Sequence, residues 1–193
     1  MRAIDKLLSE FGSEGEHVLL LLRETSELVS YYRRLLERYE LDALTGLPGS
    51  NKFRDYLDGI ETRAASVGVV FFDVNGLKHY NDTMGHQAGD LLIQKASESI
   101  HQACGKNVNA FRVGGDEFVA VLTDCTQADI DAFLANWREK LAEVNSINDG
   151  IHCSVAAGAA LGEGIYIISD VLKLADECMY DDKQRMKSEN GCV

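Results

Sequence analysis

Proline is almost missing from this chain: Pro48 is the only one in 193 residues. That excludes a proline-rich linker or polyproline ligand segment and leaves the loops to be set by glycine and side-chain contacts. Tryptophan is as scarce, with Trp137 alone, and its helical neighbours read as core. The five cysteines (Cys104, Cys125, Cys153, Cys178, Cys192) form no Cys-x-x-Cys pair, and no Cys/His spacing suits zinc. They read as reduced thiols and the chain as cytosolic; Cys125, just past an apolar strand, is weighed for reactivity, and the unreactive reading is favoured.

Long hydrophobic runs are missing too. The strongest N-terminal one, residues 18–22, is too short to span a bilayer and is not flanked like a signal peptide. Positive charge is in deficit: 19 Lys and Arg against 31 Asp and Glu give a formal charge of −12, with no basic stripe. This argues against a nucleic-acid partner. A nucleotide stays open, because Mg²⁺ can stand between carboxylates and phosphates.

What is present is ordinary globular material, 46% apolar and 26% charged, enough for one sizeable core and a short appendage. Over residues 1–40, Ile4, Leu7, Phe11, Val18, Leu21, Thr25, Leu28, Tyr32, Leu35 and Tyr39 keep an a/d heptad spacing, with Glu14 the polar exception and a break at Gly12-Ser13-Glu14-Gly15. A dimerising helix is expected there; a helix packed on its own domain is the alternative, since Leu22, Val29 and Leu36 widen the apolar face. Residues 41–49 form a fixed turn around Pro48 and lead into the globular part, 41–193. There the pattern predicts helices over 51–63, 76–84, 89–103, 127–145 and 168–187, and strands over 67–74, 110–113, 118–122 and 151–161. Leu174 and Cys178 are expected to face inward in the last helix. The sum is an α/β (α+β) sandwich around a largely antiparallel sheet.

The most informative stretch is Gly114-Gly115-Asp116-Glu117-Phe118, a hairpin bend between two alternating apolar runs. Its glycines are expected to allow positive φ and to leave no Cβ before a ligand. The run over 67–74 carries Asp73 near its end. If the hairpin pairs beside it, Asp73, Asp116 and Glu117 converge and repel unless cations join them. Two hard cations about 3.5–4 Å apart would clamp the attacking and leaving oxygens of a phosphoryl transfer. Beyond Asp73, the Asn75-Gly76-Leu77-Lys78 turn can aim N–H groups at an anion, with Lys78 adding charge. Asn81 and Asp90 are candidates for base selection: a carboxylate accepts the N1 and N2 hydrogens of guanine, which adenine lacks. Asp90 reads equally well as a helix cap.

The ordered blocks Asp42-Ala43-Leu44-Thr45-Gly46-Leu47-Pro48, Asp73-Val74-Asn75 with Lys78, Asn81-Asp82, Gly85-His86, Gly89-Asp90 and Arg112-Val113 before the pentapeptide resemble the GGDEF family of bacterial diguanylate cyclases, over about residues 41–188. The resemblance implies a palm-like, nucleotidyl-cyclase-like fold and a homodimer, at least transient, joining two GTP into cyclic di-GMP under an upstream sensor. It implies metal (Mg²⁺, with Mn²⁺ as a substitute) at Asp73, the Val74 carbonyl, Asp116 and Glu117, and catalysis by Asp116 with Glu117 assisting. Substrate contacts fall on Leu77, Lys78, Asn81, Asp90, Gly114, Gly115, Lys183 and Lys187. The sequence departs from the family pattern at Gly49-Ser50, at Asn75 where many members carry aspartate, and at Met186-Lys187-Ser188. The inhibitory Arg-x-x-Asp motif is absent from Gly105-Lys106-Asn107-Val108, which predicts no product inhibition there.

Overall fold

The computed structural model describes residues 17, 18, 20–31 and 41–190. The chain divides into two units, Met1–Glu40 and Leu41–Val193. In the first, residues 17, 18 and 20–31 are helical, with Val18, Leu21 and Leu28 exposed. The heptad positions Ile4, Leu7, Phe11, Tyr32, Leu35 and Tyr39 and the break at 12–15 lie outside the described residues.

In the second unit the elements run α1 (Ser50–Leu57), α2 (Ile60–Arg63), β1 (Ser66–Val74), α3 (Leu77–Met84), α4 (His86–Ala103), β2 (Val108–Arg112), β3 (Glu117–Thr123), α5 (Gln127–Asn145), β4 (Val155–Glu163) and α6 (Ile168–Asn190). The sheet order is β2-β3-β1-β4, with every neighbouring pair antiparallel.

Alternation along the strands sorts the core into two layers. Val70, Phe72 and Val74 of β1 pack with Leu92, Ile93 and Ile100 of α4 and with Ile130, Phe133 and Trp137 of α5. Val67 and Val69 pack on the other face with Val119 and Val121 of β3 and with Val171 and Ala175 of α6. Asp73 shares the parity of Val67 and Val69, so it points to the α6 side. Helix α6 lies so close to β4 that a Cβ on Gly158 would stand 2.5 Å from the Met179 Cα.

Four departures from the sequence reading exceed two residues. The helix expected over 51–63 is two pieces, because Gly59 adopts a left-handed φ of 69° between them. Helix α4 starts at His86, after Gly85 with φ 87°, rather than at Gly89. Strand β4 begins at Val155, not 151, because its partner β1 ends at Val74 and the backbone groups of 151–153 bond to side chains instead. Helix α6 runs on to Asn190, and Leu174 and Cys178 are exposed on it rather than inward. Cys125 is buried and desolvation pushes its thiol pKa up, which removes the ground for reactivity. Among the described residues no helix is long and apolar enough to cross a membrane.

Candidate active site

The hairpin β2–β3 does pair beside β1, and Asp73 and Glu117 are register partners at the same end of the sheet. The Val74 N–H donates to the Asp116 carbonyl at 2.9 Å, which ties the strand end to the bend. Inside the bend, the N–H groups of Val113 and Gly114 both donate to the Glu117 carbonyl, at 3.0 and 3.3 Å. Gly114 and Gly115 are not among the glycines with positive φ, so the expected conformational reason is wrong. Space is the reason instead. A Cβ on Gly114 would come within 3.2 Å of the Glu117 Cβ, and Gly115 borders open space.

Asp73 is 6% exposed. Its Oδ2 accepts a hydrogen bond from Lys183 Nζ at 2.6 Å, and its Oδ1 is buried without a partner. A buried carboxylate oxygen left bare is costly. Hard oxygen donors around such an atom suit a divalent cation, so the residues present fit one. Among the described residues no group of three or more His, Cys, Asp or Glu side chains is gathered to hold an ion by itself. A divalent cation held here would need further oxygen donors besides these side chains. Glu117 shows the strain of the cluster: desolvation first, then the charges of Asp116, Asp73 and Asp176, raise its pKa, with Lys183 opposing. Asp176 of α6 escaped the sequence reading, as nothing local to it signals proximity to the bend.

A cleft of about 520 Å³ opens beside these groups, lined by Val74, Asn75, Gly76, Leu77, Lys78, Asp116, Lys183, Met186 and Lys187. It thus brings together Leu77, the three expected lysines and Asp116, with α3 starting at its wall. Asn81 and Asp90 do not line it. Asn81 lies a turn further along α3, and its side chain covers the Cα of Gly89, beside Asp90. Asp90 is exposed and sits inside α4, well past the N-cap at Gly85, so the helix-cap reading is set aside. The two departures Asn75 and Met186 touch: Asn75 Nδ2 donates to Met186 Sδ at 3.6 Å and to Ser154 Oγ at 3.3 Å.

Arg112 is a second residue whose importance the sequence did not reveal. Its Nη1 donates to Asp42 Oδ1 at 2.8 Å, its Nε to the Gly114 carbonyl at 3.2 Å and its Nη2 to the Gly115 carbonyl at 2.6 Å. One guanidinium thereby joins the turn at 41–48 to the carboxylate-bearing bend. Burial works against the Asp42 charge, but hydrogen bonds from Thr45 and Arg112 outweigh it and hold the pKa below its usual value.

The geometry agrees with the comparisons to known proteins. The family described as "Diguanylate cyclase, GGDEF domain" matches residues 39–189. Diguanylate cyclase DosC of Escherichia coli K12 is 28% identical over 190 residues, covering 93% of this chain and 40% of that protein. Cyclic di-GMP phosphodiesterase PdeR of the same organism is 28% identical over 182 residues, covering 90% of this chain and 27% of that protein. The chain thus spans well under half the length of these relatives. In fold it is similar to the coiled coil and GGDEF domain of DgcB from Caulobacter crescentus, a structure in complex with c-di-GMP: the TM-score is 0.77 at 23% identity, over 89% of this chain and 95% of that one. With the family matching most of its length and the bend, the paired strand and the cleft in place, the chain belongs to the bacterial GGDEF family of diguanylate cyclase domains.

Proposed function

We propose that this chain condenses two molecules of GTP into cyclic di-GMP, with release of two pyrophosphates, across two copies that meet face to face. The observation that carries the reading is the bare, buried Oδ1 of Asp73 opposite Glu117, at the edge of a lysine-walled cleft.

In this reading Lys78, Lys183 and Lys187, with the first amides of α3, hold the triphosphate. Asp90 accepts the N1 and N2 hydrogens of guanine while Asn81 serves its acceptors, and adenine leaves the Asp90 charge unsatisfied. Gly114 and Gly115 keep the bend low under the nucleotide. Asp73, the Val74 carbonyl, Asp116 and Glu117 would hold a divalent cation, Mg²⁺ with Mn²⁺ as a substitute. When bound, such an ion supplies positive charge against the phosphate oxygens and the carboxylates. Each 3′-hydroxyl attacks the α-phosphorus of the other GTP, the bond to pyrophosphate breaks, and the hydroxyl proton passes to Asp116 with Glu117 assisting. One copy holds half of the reactants, so residues 1–40 serve to align two copies or to relay an upstream sensor, and 41–193 carry out the chemistry.

A second reading, GTP binding without product, draws support from the Lys183–Asp73 ion pair, which already neutralises the carboxylate expected to meet the ion. Incubation with GTP and Mg²⁺ followed by mass identification of the product separates the two. Cyclic di-GMP is expected, at a rate steeper than first order in protein. Binding of GTP with no product supports the silent module, and full turnover by Asp116→Ala overturns the assigned chemistry.

A further inference from the structure

Helix α3 carries Leu77, Lys78 and Asn81, yet it has eight residues, no buried residue and no side-chain cap. A helix that short does not hold its own position. Its place is set from outside, and one source is the segment 151–154.

That segment precedes β4, and side chains of Asp149, of α4 and of α5 meet its backbone groups one by one. The Ile151 N–H donates to Asp149 Oδ1 at 2.9 Å, and its carbonyl accepts from Lys95 Nζ at 2.6 Å. The Cys153 N–H donates to Asn145 Oδ1 at 2.8 Å, and its carbonyl accepts from Asn145 Nδ2 at 2.8 Å. Lys95 of α4 is 3% exposed and Asn145 closes α5, so the segment is fixed to the two long helices of the core. From this anchored strap two contacts reach the substrate-side loop and helix. The Ser154 carbonyl accepts from the Asn75 N–H at 2.8 Å. The Tyr80 hydroxyl accepts from the His152 N–H at 3.1 Å and donates to the His152 carbonyl at 3.3 Å.

We propose that Tyr80 is a positioning residue: through its hydroxyl, the strap 151–154 and its anchor Asn145 set where α3 presents Lys78 and Asn81 to the nucleotide. The proposal rests on the guanine-nucleotide reading given above. A phenylalanine at position 80 keeps the ring against the core and loses both bonds, since no other atom there can donate and accept at once.

Two variants of the full chain test it, with 3′-deoxy-GTP as the probe because it lacks the attacking hydroxyl and is not turned over. In Tyr80→Phe, amide hydrogen exchange over residues 77–84 speeds up while that of residues 92–100 stays at the wild-type rate. The dissociation constant for 3′-deoxy-GTP rises about fivefold, equivalent to about 1 kcal/mol, and KM for GTP rises by a similar factor while kcat stays within about twofold of wild type. A merely structural loss lowers the active fraction, hence kcat, and leaves KM in place. Asn145→Ala, which frees the strap at Cys153 without touching α3, gives the same signature. Wild-type affinity or wild-type exchange over 77–84 in either folded variant overturns the proposal. If Asn145→Ala shows no cooperative melt, Tyr80→Phe decides by itself. Wild-type protein that binds no 3′-deoxy-GTP sinks the nucleotide reading instead, a result distinct from unaltered variants.

Discussion

Replacing Arg112 with alanine removes three side-chain hydrogen bonds at once, one to the Asp42 carboxylate and two to the carbonyls of Gly114 and Gly115. The ion pair is partly open to solvent, with side-chain exposures of 14% for Arg112 and 26% for Asp42, which keeps it at the low end, about 1 kcal/mol. The two carbonyl bonds add about 1 kcal/mol each, for a total of about 3 kcal/mol. In a unit of this size that lowers Tm by about 6–12 °C. Arg112→Lys recovers a fraction, because one ammonium cannot span the three acceptors that the planar fork reaches. The freed bend carbonyls let Asp116 drift, and a displacement of about 1 Å costs on the order of 10²-fold in rate. The pH dependence has a definite sign. Asp42 has a folded pKa below its ordinary 3.8, so its contribution is whole above that value and is lost as pH falls through the folded value. Wild-type Tm therefore drops more steeply below about pH 4 than that of Arg112→Ala. Thermal melts of Asp42→Ala, Arg112→Ala and the double variant measure the coupling, expected at about 1 kcal/mol. Strict additivity, or a Tm for Arg112→Ala within about 2 °C of wild type, refutes the reasoning.

Gly89→Ala places a methyl where the Asn81 side chain lies, a mobile end that can swing away, and gains about 1 kcal/mol of helix propensity. Tm is expected near the wild-type value while KM for GTP rises and preference over ATP shrinks; unchanged steady-state kinetics would count against a base-reading role for Asn81. Gly158→Ala meets the backbone of α6 at Cys178 and Met179 instead, which cannot step aside cheaply, so a loss of about 3 kcal/mol is expected in urea unfolding. Cyclic di-GMP titrated against initial rate is expected to leave activity intact through residues 105–108, because Gly105, Asn107 and Val108 border a cleft of about 370 Å³ whose charged neighbours Asp124 and Asp129 are acidic and repel phosphate. Potent inhibition with product bound there contradicts this.

What was legible in the sequence was what short-range chemistry fixes. Strand β1 is a continuous apolar run because both of its faces are buried, and α5 was placed by core residues at helical spacing, to which the structure adds the Thr126/Asp129 capping box. The convergence of Asp73 with the bend was expected if the hairpin paired beside β1; the structure adds the register, Asp73 opposite Glu117, with strand parity putting both on the α6 side. What failed depended on bonds between distant residues. The stretch Ile151-His152-Cys153-Ser154 alternates like a strand, yet beside the nearby Asp149 and Asn145 its partners are Tyr80, Lys95 and Asn75, more than fifty positions away, which no local pattern announces. At Gly114 the expected positive φ is not adopted, and the missing Cβ matters for a neighbour three residues on, the Glu117 side chain, a contact that the bend's shape creates. Arg112 read as a strand residue within the family-like block, with no role of its own, although it joins the turn at 41–48 to the bend.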